Sequence, residues 1–204
     1  MENDALVYKI AETQVVLFLT KYAWYATLIK IVTRRMTGGD SMTAKLRNMT
    51  SLYIFKGDKV LLLYRQGSRV VNNMWIGSAG GHFEPEELND AKACVLRELN
   101  EELELTEKDL LHLELRYVTL RRCNGEIRQN YYFFADLKDE VDVNVYSNEG
   151  ISKWFDLSEL NSLEMPFTSK YVVKHYLEIG CKNHDIYAGI ADGEKIVFVN
   201  MPEF

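Results

Sequence analysis

The chain has 204 residues, of which 47% are hydrophobic and 26% are charged, so it is long enough to bury a core of its own. Its formal net charge of −6 argues against a surface that coats a nucleic acid polymer through the backbone phosphates. The first residues are acidic and the three cysteines lack CxxC spacing, which favours a reducing cytoplasm over secretion with a disulfide framework. An acidic chain that handles phosphates needs local positive charge, most simply from bound divalent cations.

An apolar stretch near the start, residues 13–33, is divided by Lys21 and Lys30 into runs of about eight residues. Such runs are shorter than the roughly 18 apolar residues that indicate a membrane-spanning helix. The pattern favours a helix that packs on the domain or on a partner over one that lies in a membrane interface. We therefore predict a hydrophobic helical extension and linker at residues 1–41, followed by one domain at residues 42–204. A third interpretation starts translation at a later methionine: Met36, Met42 or Met49.

The segment after the linker has the residue alternation and the turn residues of a β-rich domain. Gly57-Asp58 predicts a hairpin turn between the strands TSLYIF and KVLLLYR. A short strand follows within WIGSAGGHF. Asp90 is the predicted N-cap of a helix that runs to about Leu103.

Asn124-Gly125 predicts a second hairpin, between the strands LELRYVTLRR and EIRQNYYFFADL. An irregular acidic loop covers residues 138–148, and GISKWFDL is the next strand. We expect a short helix at 158–163, a longer one at 169–179 and a last hairpin that turns at Asp192-Gly193. Strands and helices in this order predict an α+β domain with a mixed sheet.

The predicted helix after Asp90 concentrates negative charge on one side. Glu98, Glu101 and Glu102 lie within an arc of roughly 100°. They occupy the C-terminal half of the helix, where the helix dipole disfavours negative charge and like charges repel. An acidic face of this kind is usually a solvated surface. A site for divalent cations is the alternative, because hard cations prefer several carboxylate oxygens.

The stretch RELNEE, preceded by Gly80-Gly81, resembles the Nudix box, whose pattern is G-x5-E-x7-R-E-U-x-E-E-x-G-U with U apolar. Five residues match the core of the box in order and spacing: Arg97, Glu98, Leu99, Glu101 and Glu102. The resemblance covers about Met49 to the C-terminus. It implies a Nudix fold, in which a mixed β-sheet is sandwiched between helices.

Two positions depart from this pattern. Counting back from Arg97, Asn89 occupies the place of the first glutamate, and the loop before it is about two residues longer than the pattern. The glycine after the double acid is Glu104 here, which leaves the end of the helix undefined. Three nearby acids are candidates to replace the missing glutamate and pair with the arginine: Glu84, Glu86 and Glu87.

The resemblance implies a hydrolase that uses Mg²⁺, or Mn²⁺, to cleave a diphosphate linkage in a nucleotide. The implied metal ligands are the carbonyl of Gly80, the three box glutamates and one acid from a distant loop: Glu98, Glu101, Glu102 and Glu149. The implied catalytic residues are Glu98 or Glu101 as the general base and Arg97 as a residue that orients a box acid. We expect a monomer or a homodimer in the cytoplasm, with a nucleotide as its partner and no nucleic acid polymer.

The C-terminal segment KWFDLSELNSLEMPFTSKYVVKHYL resembles the human-type branch of 8-oxo-dGTP diphosphatases. Proteins of that branch hydrolyse nucleoside triphosphates to the monophosphate and pyrophosphate. The resemblance places Thr50 and Arg65 at the mouth of the base pocket. Four more residues are candidates for substrate binding: Asn73, Trp75, Gly81 and Tyr131. The base-reading residues of the branch are replaced at Ile76 and after Pro166, which weakens the prediction of an oxidised guanine nucleotide.

Two alternatives to triphosphate hydrolysis stay open. One is hydrolysis of another nucleoside diphosphate derivative such as ADP-ribose. The other is a non-catalytic Nudix domain that senses a nucleotide, although such a module has no need for acids that repel one another. Five arginines are candidates to contact phosphates in any of these functions: Arg65, Arg69, Arg121, Arg122 and Arg128.

Overall fold

The computed structural model describes residues 45–65, 73–143, 146–147 and 150–203. These residues lie in one compact unit that spans residues 44–204. The predicted extension and linker at residues 1–41 lie outside the described residues. No described helix is both long and apolar enough to cross a membrane.

The described chain contains nine strands, two α-helices and four short 3₁₀ helices. The strands are β1 Lys45–Lys56, β2 Lys59–Arg65, β3 Met74–Ile76, β4 Leu110–Cys123, β5 Glu126–Leu137, β6 Tyr146–Ser147, β7 Gly150–Asp156, β8 Ile186–Ala191 and β9 Ile196–Met201. The α-helices are α1 Ala91–Leu103 and α2 Phe167–Glu178. The 3₁₀ helices are Pro85–Glu87, Glu107–Asp109, Leu157–Ser162 and Gly180–Lys182.

All the described strands join one sheet in the order β6-β7-β2-β1-β5-β4-β8-β9, with β3 paired to β2. β1 lies parallel to β5 and β4 lies parallel to β8, while the other neighbours are antiparallel. The sheet is therefore mixed, which confirms the predicted α+β class.

The two hairpin turns and the helix N-cap described below lie where the local sequence predicts them. Gly57 adopts φ +61° between β1 and β2, and Asn124 and Gly125 adopt φ +52° and +77° between β4 and β5. A two-residue hairpin turn needs such positive angles. At the start of α1, the Asp90 carboxylate accepts a hydrogen bond from the backbone N–H of Ala93 at 2.9 Å, which confirms the predicted N-cap.

Both faces of the sheet are buried against a helix. On one face, Val95 and Leu99 of α1 pack with Leu52 of β1. On the other face, Val172 of α2 packs with Tyr53 of β1. Successive side chains of a strand point to opposite faces, so β1 contributes to both cores. The arrangement confirms the predicted sheet between helices.

Several elements differ from the predicted ones, and β1 begins at Lys45 rather than at Thr50. The short helix predicted at 158–163 is the 3₁₀ helix Leu157–Ser162. α2 begins at Phe167, earlier than predicted, because Pro166 has the fixed φ of −55° that suits the residue before a helix. The loop predicted at 138–148 contains the short strand β6, which pairs with β7.

Candidate metal and substrate site

The loop before α1 lies against β1. The Ala79 and Gly81 carbonyls accept hydrogen bonds from the backbone N–H groups of Leu52 at 2.7 Å and Thr50 at 2.8 Å. Gly80 has a positive φ of +145°, and a side chain there would collide with the Thr50 carbonyl. Glycine is required at this position because the backbones of the strand and the loop approach so closely.

The same loop meets the acidic side of α1. The Gly80 N–H donates to Glu102 Oε2 at 2.9 Å. A Cβ atom on Gly81 would overlap the Glu98 carboxylate, so glycine lets this carboxylate approach the loop backbone. Four predicted site residues are thus brought together: Gly80, Gly81, Glu98 and Glu102.

Arg97 lies between the acids and the loop. Its NH1 group donates to Glu98 Oε1 at 2.9 Å and to Glu101 Oε2 at 3.0 Å, and its NH2 group donates to the His82 carbonyl at 3.0 Å. The hydrogen bond to Glu87 is the main cause that raises the pKa of Arg97 above its ordinary value. The charged guanidinium therefore holds two predicted metal ligands together and ties them to the loop.

Glu87 is the acid that pairs with Arg97 in place of the first box glutamate. It accepts from Arg97 Nε at 2.7 Å and from Arg97 NH2 at 2.9 Å, and its Oε2 also accepts from the Glu84 N–H at 2.9 Å. The hydrogen bonds from Arg97 are the main cause that lowers the pKa of Glu87 from about 4.5 to about 2. Of the three candidate acids, the structure therefore selects Glu87.

The position of Glu87 corrects the predicted place of the extra residues. Five residues separate Gly81 from Glu87, as in the box pattern, whereas nine rather than seven separate Glu87 from Arg97. The two additional residues thus follow the glutamate, in the turn between the 3₁₀ helix Pro85–Glu87 and α1. Counting forward from Gly81, instead of back from Arg97, finds this glutamate in the sequence.

Glu104 determines where α1 ends. It adopts a left-handed conformation, with φ +56° and ψ +23°, and its N–H donates to the Asn100 carbonyl at 3.0 Å. The box pattern has glycine at this position, and glycine adopts the left-handed conformation at the least cost. The helix therefore stops at Leu103 despite the substitution, with some strain at Glu104.

Glu98, Glu101 and Glu102 of α1 form what we call the acid cluster. Their carboxylates offer the oxygen ligands that a divalent cation needs. Within the described residues, no three His, Cys, Asp or Glu side chains are arranged as ligands, because Glu98 and Glu101 face Arg97 and Glu102 faces Gly80. Partial burial raises the pKa of Glu98, and repulsion by Glu101 adds to the increase. Neighbouring carboxylates that repel one another fit a bound Mg²⁺ or Mn²⁺ ion.

Such a cation would be held by the side chains of Glu98, Glu101 and Glu102 and by the Gly80 carbonyl. When bound, it would neutralise phosphate oxygens and acidify a water molecule. The fifth predicted ligand, Glu149, lies outside the described residues.

Thr50 does not lie at the mouth of a pocket as predicted. Its side chain is 1% exposed, and its hydroxyl lies 3.4 Å from Cys94 Sγ of α1. Thr50 is on the face of β1 that packs against this helix, so it belongs to the interior. Burial also raises the pKa of the Cys94 thiol to about 11, which makes this thiol a poor nucleophile.

Three other predicted substrate-binding residues lie at the end of β2, directly before β3 and on β3. Arg65 is the last residue of β2, and its carbonyl accepts a hydrogen bond from the Asn73 N–H at 2.9 Å. Trp75 packs against Tyr64 and Phe155, with ring centroids 4.8 and 4.6 Å apart. Trp75 therefore contributes to the core, while Asn73 is exposed.

Tyr131, the last of the predicted substrate-binding residues, contacts the loop before α1. Its ring lies 5.4 Å from the ring of Phe83, measured between centroids. Its hydroxyl also hydrogen-bonds the side chain of Gln129. Tyr131 thus supports the loop that carries Gly80 and Gly81.

Several arginine side chains lie beside the acid cluster. One of them, Arg47, was not among the arginines predicted to contact phosphates. Arg47 Nε donates to His82 Nε2 at 2.6 Å. Partial burial and the nearby charges of Arg47, Arg65 and Arg128 lower the pKa of His82 below its ordinary value. Arg47 lies opposite Arg128 because β1 and β5 run parallel, and no local pattern predicts the pairing of strands so distant in sequence.

Comparisons with known proteins agree with this fold. The NUDIX domain family model matches residues 45–176. A MutT protein from Bacillus halodurans is 22% identical with a TM-score of 0.54, and the match covers 78% of this chain and 99% of that one. A NUDIX hydrolase from Nitrosomonas europaea is 19% identical with a TM-score of 0.57, and the match covers 72% and 79% of the two chains.

A third solved structure is a bifunctional NMN adenylyltransferase/ADP ribose pyrophosphatase from Francisella tularensis, in complex with AMP and a Mn ion. It is 16% identical with a TM-score of 0.57, and the match covers 75% of this chain and 46% of that one. No curated protein matches the chain. The family match spans more than half of the chain and includes α1 and the loop before it. The chain therefore belongs to the Nudix family of hydrolases, which act on nucleoside diphosphate derivatives.

Proposed function

We propose that this Nudix hydrolase uses Mg²⁺, with Mn²⁺ as a substitute, to cleave a nucleoside triphosphate into the monophosphate and pyrophosphate. The position of Arg97 is the observation that supports the proposal most. This residue gathers Glu98 and Glu101 beside the Gly80 backbone, where the Glu102 carboxylate also lies. Carboxylates collected in this way suit a cation that in turn meets phosphate oxygens.

Glu98 is the better candidate for the general base. Its side chain is 14% exposed, and partial burial raises its pKa toward the working pH, whereas Glu101 is 56% exposed. Glu98 takes a proton from the attacking water as the water oxygen bonds to phosphorus. The bond from that phosphorus to the leaving phosphate oxygen then breaks. Arg97 keeps Glu98 in position during this step, and Glu87 keeps Arg97 in position.

The arginines near His82 explain how a chain with a net charge of −6 attracts a polyphosphate. Arg47, Arg65 and Arg128 all lie close enough to lower the pKa of His82, which borders the acid cluster. Arginine binds phosphate through paired hydrogen bonds as well as charge. Arginines next to acids that can hold a cation suit a substrate that carries several phosphates.

Triphosphates of damaged purines, with 8-oxo-dGTP among them, are the first substrates to test, because the C-terminal segment resembles the human-type diphosphatases. ADP-ribose is the second candidate, since its two phosphates need the same arrangement of cation and arginine. A panel of both kinds of nucleotide with Mg²⁺, analysed for its products, tests the proposal. We expect at least one triphosphate to give the monophosphate and pyrophosphate. AMP and ribose phosphate from ADP-ribose, without turnover of any triphosphate, would contradict the proposed substrate class.

The Glu101→Gln variant tests whether the acids act in the reaction. We expect turnover to fall by about 100-fold or more without a change in thermal unfolding, because loss of one charged ligand weakens the cation site. The matched control is Glu104→Gln, an exposed acid near the end of the same helix, which should keep its activity within about twofold. Equal inactivity of wild type and Glu101→Gln toward every nucleotide would favour a nucleotide sensor instead.

A further inference from the structure

Three arginines occupy directly opposite positions on three neighbouring strands. Arg47 of β1 pairs with Arg128 of β5, and Arg128 pairs with Arg121 of β4. Directly opposite residues project from the same face of a sheet, and like charges in such positions destabilise it. We call Arg47, Arg128 and Arg121 the arginine row.

The arginine row has little negative charge to balance it. Within the described part of the chain, Glu126 is the one carboxylate that forms an ion pair with the row. It lies 3.5 Å from Arg47 NH1 and 3.2 Å from Arg128 Nε. The Arg128 side chain is only 11% exposed, and a cation that is largely buried needs a partner. One shared carboxylate for three guanidinium groups leaves room for an anionic ligand.

The row lies on the α2 side of the sheet. His82 is the residue that contacts both the row and Arg97 beside the acid cluster. Arg121 follows Tyr117 by an even number of residues on β4, and Tyr117 belongs to the core under α2. The His82 ring accepts a hydrogen bond from Arg47, while the His82 carbonyl accepts one from Arg97. The row and the acids of α1 therefore lie on opposite faces of the sheet, and His82 links the two groups.

We propose that the arginine row binds a phosphate group that the cation site does not hold. This assignment extends the proposed function, and it rests on that function only for the identity of the molecule that carries the phosphate. Arginine recognises phosphate with paired hydrogen bonds, and three guanidinium groups on one face provide more donors than one carboxylate uses. The phosphate belongs either to the substrate, at a position remote from the cleaved bond, or to free inorganic phosphate.

Calorimetric titration of the full chain with inorganic phosphate in EDTA tests the site without the cation or turnover. The ionic strength is matched with chloride. We expect saturable binding by wild type and binding about tenfold weaker in Arg121→Gln and Arg47→Gln, because a hydrogen bond between charged groups is worth about one factor of ten or more. Lys108→Gln is the matched control, because it removes one exposed positive charge from the 3₁₀ helix Glu107–Asp109, outside the row.

A second measurement identifies the source of the phosphate. In the presence of Mg²⁺, competitive inhibition of nucleotide hydrolysis by inorganic phosphate, weakened in Arg121→Gln, shows that the row holds a phosphate of the substrate. Non-competitive behaviour with the same loss in Arg121→Gln shows that free phosphate is the ligand. Both results support the phosphate site.

Two results would overturn the assignment: no saturable phosphate binding by wild type, or equal binding by the Arg121→Gln and Lys108→Gln variants. A chain that hydrolyses nucleotides but shows either result keeps the proposed function and loses the phosphate site. A chain that binds phosphate through the row but hydrolyses no nucleotide keeps the site and loses the function. The two failures are therefore distinguishable.

Discussion

Arg97 binds Glu87 through two hydrogen bonds, from Nε to Oε1 at 2.7 Å and from NH2 to Oε2 at 2.9 Å. This pair joins α1 to the 3₁₀ helix Pro85–Glu87 and leaves NH1 of the same guanidinium for Glu98 and Glu101. Glu87 therefore fixes the arginine, and the arginine fixes two acids of the candidate cation site.

Glu87→Gln removes the charge that holds Arg97 while it keeps the size of the side chain. We expect the free energy of unfolding to fall by about 2 kcal/mol, because hydrogen bonds between charged groups contribute roughly 1.5–3 kcal/mol and the Glu87 side chain is 10% exposed. Urea denaturation followed by tryptophan fluorescence measures the change. Glu86→Gln, an exposed neighbour, is the control and should change this free energy by less than about 0.5 kcal/mol. Equal losses in the two variants would show that the pair with Arg97 is not responsible.

The same pair predicts how stability depends on pH. The pKa of Glu87 in the folded chain is about 2, below its ordinary value near 4.5. The pair therefore stabilises the fold fully above pH 4.5, and this stabilisation is lost as the pH falls from 4.5 toward 2. In metal-free buffer, the unfolding midpoint of wild type should fall more steeply over this range than that of Glu87→Gln. Parallel curves would mean that another group carries the dependence.

Features set by neighbouring residues were predictable from the sequence. Asn124-Gly125 specified a hairpin, and Asp90 specified the start of α1, because turn angles and helix caps depend on a few adjacent residues. Helical periodicity placed Glu98, Glu101 and Glu102 on one side of α1 for the same reason.

Features set by contacts between distant segments were not predictable. Thr50 is buried because α1 brings Cys94 over it, and the packing position of a helix is not encoded in a strand's own alternation. Arg47 meets Arg128 because β1 runs parallel to β5. The arginine row therefore became visible only from the register of the sheet.

Glu104→Gly tests the conformation at the end of α1. Glu104 holds a left-handed conformation that disfavours residues with a Cβ atom. We expect the glycine variant to raise the free energy of unfolding by about 0.5–1 kcal/mol, measured by urea denaturation. Glu107→Gly, in the following 3₁₀ helix, is the control and should lower this free energy, since glycine there adds freedom to the unfolded chain and removes the ion pair with Lys92. A loss of stability in Glu104→Gly would contradict the assigned strain.

The binding of divalent cations by the acids of α1 is the claim on which the proposed chemistry depends. Calorimetric titration of the full chain with Mg²⁺ and with Mn²⁺ measures it, beside a variant in which Glu98, Glu101 and Glu102 are all replaced by Gln. We predict saturable uptake by wild type that is lost in the triple variant, with circular dichroism showing the same fold in both. Equal uptake by the two proteins, or no uptake by wild type, would contradict the claim.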